Sequence, residues 1–392
     1  MVAEVLPREV VPRGGGVEPW RAVRTLPIRV KPLPEESLES WLEALASRTD
    51  ATWGQILRAV DISGARGNTA SHWAGRANVS LTPGQGDTIS YCTGVEPCLL
   101  QAMTLQPWIN DTSWQRPSAA SLRMTGSRFC PKCLEERGGR WRVWWRLRWA
   151  FVCPTHGSLL ADACRVCGGL QRTAPPRFNE VPKLGSCTRG VTRSGEGPRC
   201  HEPLSGAPAI RLGTDPAVVT QCELLRVLRA GYALGGIYGS SPVPSTIFMG
   251  DLHTLGSWML RYAQPFHVAA PISDLLWEQF VLAAKNGFAR PLVTGGGARV
   301  ACSNAAADAV TACMAMPVLQ ADDTEIAAQR LQWLTTSMRR RGFSPMDSRN
   351  CWNIGHSPSL DALRRTVLSS RSLHQHRTTR PFPGTGPQLS AV

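Results

Sequence analysis

Between Cys130 and Cys200 the chain reads CPKC, then CPTH, then CRVC, then two more cysteines. A gap of two residues lets both donors of a knuckle reach one ion across a tight turn. Seven cysteines and one histidine at such spacing imply that the middle of the chain is organised around bound ions. In the first half, Cys130, Cys133, Cys153 and His156 make three thiolates and an imidazole. Four protein donors leave no open position for water, so this is the pattern of a structural zinc site rather than a catalytic one. The second half opens with Cys164 and Cys167, and Gly168 and Gly169 follow where the chain must turn. Cys187 and Cys200 complete the expected set, with His201 able to replace Cys200. The expectation is two Zn2+ per chain, held in tandem zinc ribbons. Cys92, Cys98, Cys222, Cys302, Cys313 and Cys351 lack paired spacing and read as ordinary small residues.

Between the first two knuckles, Trp141, Val143, Trp145, Leu147 and Trp149 alternate with Arg142, Trp144, Arg146 and Arg148. Period two predicts a strand packed against the knuckles. One face would be aromatic and the other basic, a surface suited to nucleic-acid backbone. Arg146 and Arg148, with Arg140 and Arg142, are the candidate phosphate contacts. The same pattern also fits a ribbon strand with its arginines simply in solvent. A net charge of +14 points to an anionic partner, with nucleic acid first among them. Met1 to Val30 lack the apolar stretch of a secretory signal, and no apolar run reaches membrane-spanning length. The expected location is therefore the cytosol, where thiols stay reduced and cysteine-rich spacing means metal.

Outside the cysteine-rich stretch the pattern is helical, so the expected class is mainly α with small β. Residues 1–30, rich in Pro and Gly, read as a flexible leader. Residues 31–127 read as an N-terminal helical domain. Within it, Leu38, Trp41, Leu42 and Leu45 fall on one helical face, and Ile56, Leu57 and Val60 suggest a second helix. Pro83 opens a third, Thr93-Gly94 is a turn, and Glu96 to Met103 forms a fourth. Helix, Gly turn, helix is the outline of a helix-turn-helix. Residues 128–205 are the zinc-ribbon region and 206–372 a C-terminal helical domain. Its expected helices cover Val218 to Leu234, Leu252 to Tyr262, Ile272 to Ala284, Glu325 to Arg341 and Asp361 to Ser369. Residues 373–392 read as a disordered tail. No nucleotide-binding loop, HExxH or converging acid–base set is present. Gly295-Gly296-Gly297 reads as a turn, and the pairs Glu35-Glu36 and Asp322-Asp323 read as helix-start charges, so no enzyme activity is expected.

Three stretches together resemble the TniQ family of transposition proteins. The first runs from Leu26-Pro27-Ile28-Arg29 through Leu33-Pro34-Glu35-Glu36-Ser37-Leu38 to Ser40-Trp41-Leu42. The second is Thr93-Gly94 with Met103-Thr104-Leu105. The third is Arg128-Phe129-Cys130-Pro131-Lys132-Cys133, then Trp141 and Trp145, then Val152-Cys153-Pro154-Thr155-His156-Gly157 and Cys164-Arg165-Val166-Cys167-Gly168. The resemblance covers roughly residues 25–200. It implies a bacterial, nucleoid-associated accessory factor that links target recognition, on DNA or through a targeting complex, to an AAA+ ATPase and so to the transposase. Some members form homodimers, which makes self-association a further expectation. The rival readings are a stand-alone zinc-ribbon regulator with a helix-turn-helix and, further off, a nucleic-acid enzyme.

Overall fold

Ser37 accepts a hydrogen bond from Ser40 N–H and caps the first helix, α1 (Leu38–Arg48), whose Leu38, Trp41, Leu42 and Leu45 are each 1% exposed. The computed structural model describes residues 25–62, 79–109, 122–123, 126–190, 198–285, 304–340, 342 and 357–375. Much of the expected leader and tail, Gly295 to Gly297, Arg341, Cys302 and Cys351 lie outside them. Reciprocal Thr–Gln capping boxes open α2 (Trp53–Ala59) and α3 (Pro83–Thr93). Gly94, at φ +71°, ends α3 in the left-handed conformation. Two short helices follow, α4 (Pro97–Ala102) and α5 (Gln106–Ile109). The apolar faces of α1 to α4 close into one small core around Trp41, Trp53, Ile89 and Leu100.

The cysteine-rich region has little regular structure. α6 (Pro131–Glu136) carries Cys133, and β1 (Val152–Cys153) pairs antiparallel with β2 (Ser158–Leu159) in the register Val152↔Leu159. The strand expected over Trp141 to Trp149 does not form. Val143–Arg146 is a single 3-10 turn, flanked by isolated bridges Glu36↔Arg142 and Leu122↔Leu147. The alternation breaks at Trp144, which a strand would have put on the arginine side. Trp141, Trp144, Trp145 and Trp149 are all 3% exposed or less. A tight turn buries Trp144 and Trp145 together, at an edge-on ring angle of 77°.

α7 (Pro216–Ala230) starts the second helical part, with Asp215 capping its N-terminus and Gly231 its C-terminus. A two-residue antiparallel pair, β3 (Tyr232–Ala233) and β4 (Val243–Pro244), leads into α8 (Ser245–Tyr262). Then come α9 (Pro265–Ala269), α10 (Asp274–Lys285) and α11 (Ala305–Leu319). The long helix expected from Glu325 is two helices, α12 (Thr324–Arg330) and α13 (Gln332–Arg340), with fully buried Leu331 at the break. α14 (Pro358–Gln375) is the last described element. α11 was not anticipated. All its residues but Pro317 are buried, and it packs against α7, α8, α10 and α12. Among the described residues the molecule is mainly α with a few short strands. The larger of its two cores runs without a gap from Leu105, through Cys130 and Trp145, to α11 and Val367. The cysteine-rich knuckles and the C-terminal helices therefore share one interior. No described helix is long and apolar enough to cross a membrane.

Candidate metal centres

Cys130, Cys133, Cys153 and His156 converge, although 26 positions separate the first from the last. Cys130 ends an extended segment just before α6, and Cys133 lies one turn inside it. Cys153 ends β1, and the β1–β2 turn brings His156 back over it. His156 Nδ1 is 3.4 Å from each of the three sulfurs, and Cys133 Sγ is 3.6 Å from Cys153 Sγ. Around a zinc ion with Zn–S about 2.3 Å and Zn–N about 2.0 Å, tetrahedral ligand atoms stand about 3.5–3.8 Å apart. The donor set fits that geometry. The sulfurs are buried, at 1% exposure or less. Hydrogen bonds from the Cys133 and Cys153 thiols push the Cys130 thiol down to about 2, while the same contact with Cys130 pushes Cys133 up to about 11. Three sulfurs this close become thiolates together only when a cation compensates them.

Glu136, the last residue of α6, lies 2.9 Å from His156 Nε2. With a metal on Nδ1, that nitrogen carries the proton and donates to the carboxylate, which orients the ring. Spacing rules do not find Glu136. Its place one turn after Cys133, on the same helix, is the only sequence signal for it.

The second group comprises Cys164, Cys167, Cys187 and Cys200. Cys167 Sγ is 3.6 Å from Cys187 Sγ, and Cys164 Sγ is 3.9 Å from Cys200 Sγ. Val166 N–H and Gln171 Nε2 donate to the Cys164 and Cys187 sulfurs at 3.4 and 3.3 Å, as donors do to thiolate ligands. His201 stays outside the group and sits at φ +54°. Each group can therefore hold one metal ion, and each has all four positions filled by protein.

Around the first centre, charge is paired in depth. Arg140 donates to Glu36 at 2.6 Å, Arg142 to Glu35 at 2.9 Å and Arg146 to Glu39 at 3.3 Å, while Arg148 lies 3.9 Å from Asp308. The four arginines read as phosphate contacts all face carboxylates of the same chain. Each of these charges is thus matched by a carboxylate within the chain. The acidic residues of the α1 region clamp the N-terminal core to the Trp-rich segment. Arg172 extends the clamp to Glu43 at 3.1 Å and stacks over Trp141 at 4.4 Å. On the other side, fully buried Arg128 reaches Asp162 at 3.0 Å, Asp308 of α11, and the carbonyls of Arg148 and Ala150.

These features define a class: a mainly helical protein with two Cys/His groups that can each hold one metal ion. A TniQ family model matches residues 27–160, a span that holds the N-terminal core, the clamp and the whole first centre. Over those residues the chain is thus similar to the TniQ family of transposition proteins. No curated protein matches the chain significantly.

Proposed function

We propose that this chain is a zinc-binding accessory factor of a multi-component DNA transposon. In this reading it links target recognition, on DNA or through a targeting complex, to the AAA+ ATPase regulator that recruits the transposase. The TniQ match over residues 27–160 carries the reading. The closed donor sets support it, because they suit a scaffold and leave no position for a reacting water. Cys130, Cys133, Cys153 and His156 would hold one Zn2+, and Cys164, Cys167, Cys187 and Cys200 the other. The ions would supply folding free energy and fix the relative placement of the segments they cross-link. The chain itself, through the Glu–Arg clamp and the shared core, makes a rigid block that two partners can engage at once. The test is a pull-down of the element's ATPase by the full chain, with and without target DNA, paired with a transposition assay. Retention of the ATPase and dependence of insertion on the chain are expected. Sequence-specific duplex binding with no ATPase retained and no effect on insertion would sink the proposal in favour of a free-standing regulator.

A further inference from the structure

The charge of this chain is unevenly placed. From Val79 to Ile109, the helix–turn–helix outline, there is no Lys or Arg and there are two acids, Asp87 and Glu96. From Arg165 to Arg199, around the second metal centre, there are seven Lys or Arg and two acids. Arg172 is buried against Glu43 and Arg165 pairs with Glu202, which leaves Arg177, Lys183, Arg189 and Arg199 among the described residues as the basic groups a DNA duplex would favour over the acidic first stretch.

Within the second region lies a concavity of about 100 Å³ walled by Thr173, Arg177, Thr188, Arg189, Gly190 and Arg199, with two small apolar residues. Three guanidiniums meet there. Arg177 and Arg199 share one carboxylate, Glu180, at 3.0 and 3.2 Å. Arg189 donates to a neutral acceptor, Thr173 Oγ1, at 2.7 Å. Among the described residues, three guanidiniums thus stand against one carboxylate at the rim, unlike the Arg–Trp segment. The frame is stiff. Thr188 follows ligand Cys187, Arg199 precedes ligand Cys200, and Cys200 N–H donates to Arg189 O at 2.9 Å. The adjoining loop is tied to α2, where Trp53 and Gly54 N–H donate to Glu180 O and Phe178 O at 2.9 and 2.8 Å.

We infer that this concavity is a backbone-phosphate site for duplex DNA, with Arg189 and Arg177 as contact residues. Forked guanidiniums beside a hydroxyl suit a phosphate oxygen. Among the described residues the walls carry no aromatic ring on which an unpaired base could stack, which favours duplex backbone over single strands. The choice of DNA rests on the transposition reading; the phosphate chemistry stands on the charges and geometry. The second metal centre thus acts as the frame of a DNA contact.

The test is the salt dependence of binding to a fluorescent 30-base-pair duplex, measured by anisotropy on the full metal-loaded chain. Arg189→Ala should weaken binding about tenfold, and Arg177→Ala with Arg189→Ala further. The double variant should flatten the slope of log K against log salt by about 2. Arg226→Ala, which removes an exposed pair with Glu223 on α7, serves as the charge-matched control and should leave the slope alone. The melting temperature and metal content of each variant show that it folds. An unchanged slope in a folded double variant overturns the inference. So does a wild-type chain that prefers an RNA duplex or single strands. In either case ATPase retention in the pull-down still decides the transposition reading separately.

Discussion

His156 presents Nδ1 to the three sulfurs while Nε2 lies 2.9 Å from Glu136. Such a carboxylate raises ligand basicity and holds the ring, and losing one typically lowers metal affinity 10–100-fold. Glu136 is exposed, at 60%, so water can replace part of its effect. Glu136→Gln should therefore weaken zinc binding by about tenfold in chelator competition; an unchanged affinity would mean that the carboxylate does not orient the ring. Glu43 makes a pH-dependent case. Burial pushes its carboxyl up to about 6 from 4.5, against the pull of Arg172. The folded chain thus binds this proton more tightly than the unfolded one. Its stabilising contribution is complete below pH 4.5 and fades as pH rises through about 6. Acid also strips metal, which works in the opposite direction, so the comparison must be with Glu43→Gln. Between pH 6 and 4.5 the wild type should gain stability relative to that variant, by on the order of 1–2 kcal/mol in denaturant titrations. A difference that does not vary with pH would place the Glu43 titration elsewhere.

At the scale of elements, what the sequence reveals depends on whether a segment has one wet face. α3 does, and its cap Thr82 marks where it starts; α1 is buried from Leu38 to Ala46 but still shows the period, because Glu39, Ser40 and Glu43 meet polar partners on the side away from Leu38, Trp41, Leu42 and Leu45. α11 has no wet face: Ala305 to Leu319 is apolar on every side because every side is covered, so it shows no helical period. The Trp-rich segment misleads for a related reason. Its arginines keep an alternating beat, but they answer to Glu35, Glu36 and Glu39 more than a hundred positions away, not to solvent. The four residues that converge in each group were legible because metal coordination demands such spacing. Cys200 could not be separated from His201 by spacing alone, since adjacent residues differ only in where the backbone points them. α11 also lies unusually close to α8. A Cβ on Gly256 would overlap the Thr311 methyl and come within 3.0 Å of the Thr311 carbonyl oxygen. Alanine is the better helix former by about 1 kcal/mol, so an open site would be stabilised. Here overlap with the Thr311 methyl, on a side chain held by its bond to the Ala307 carbonyl, should win, and Gly256→Ala should destabilise by about 1–3 kcal/mol in thermal or denaturant unfolding. A stabilised variant would show that the two helices separate easily.

At the scale of the whole molecule, the first metal centre and the C-terminal helices are parts of one interior. Arg128 stands two positions before ligand Cys130, and its guanidinium joins Asp162 to Asp308 on α11. Phe129, between them, is fully buried, and Asp162 also accepts from Ala305 N–H at the start of α11. Loss of the first metal should thus be felt about 180 positions along the chain, where Asp308 would lose the cation that justifies its burial. The second centre is placed differently. Cys164 and Cys187 reach the same large core, but Cys200 is only half-buried at its edge, and the adjoining Arg199 lines the basic concavity. The two centres therefore should not be equivalent. Hydrogen exchange of the 305–319 segment can separate them, because its amides are protected only while the large core is closed. Cys130→Ser should raise exchange there by orders of magnitude or leave the chain unfolded, whereas Cys200→Ser should perturb residues near 173–201 and leave 305–319 protected. Arg128→Met supplies the intermediate step. It keeps all eight candidate ligands but removes the buried guanidinium between Asp162 and Asp308, leaving Asp162 with Arg123 and Asp308 with Arg148 at 3.9 Å, a change of about 3 kcal/mol, so it should loosen α11 while both metals stay bound. Equal protection of α11 in all three variants would mean that the helices fold without the knuckles, and that the continuous core is a contact between independent units.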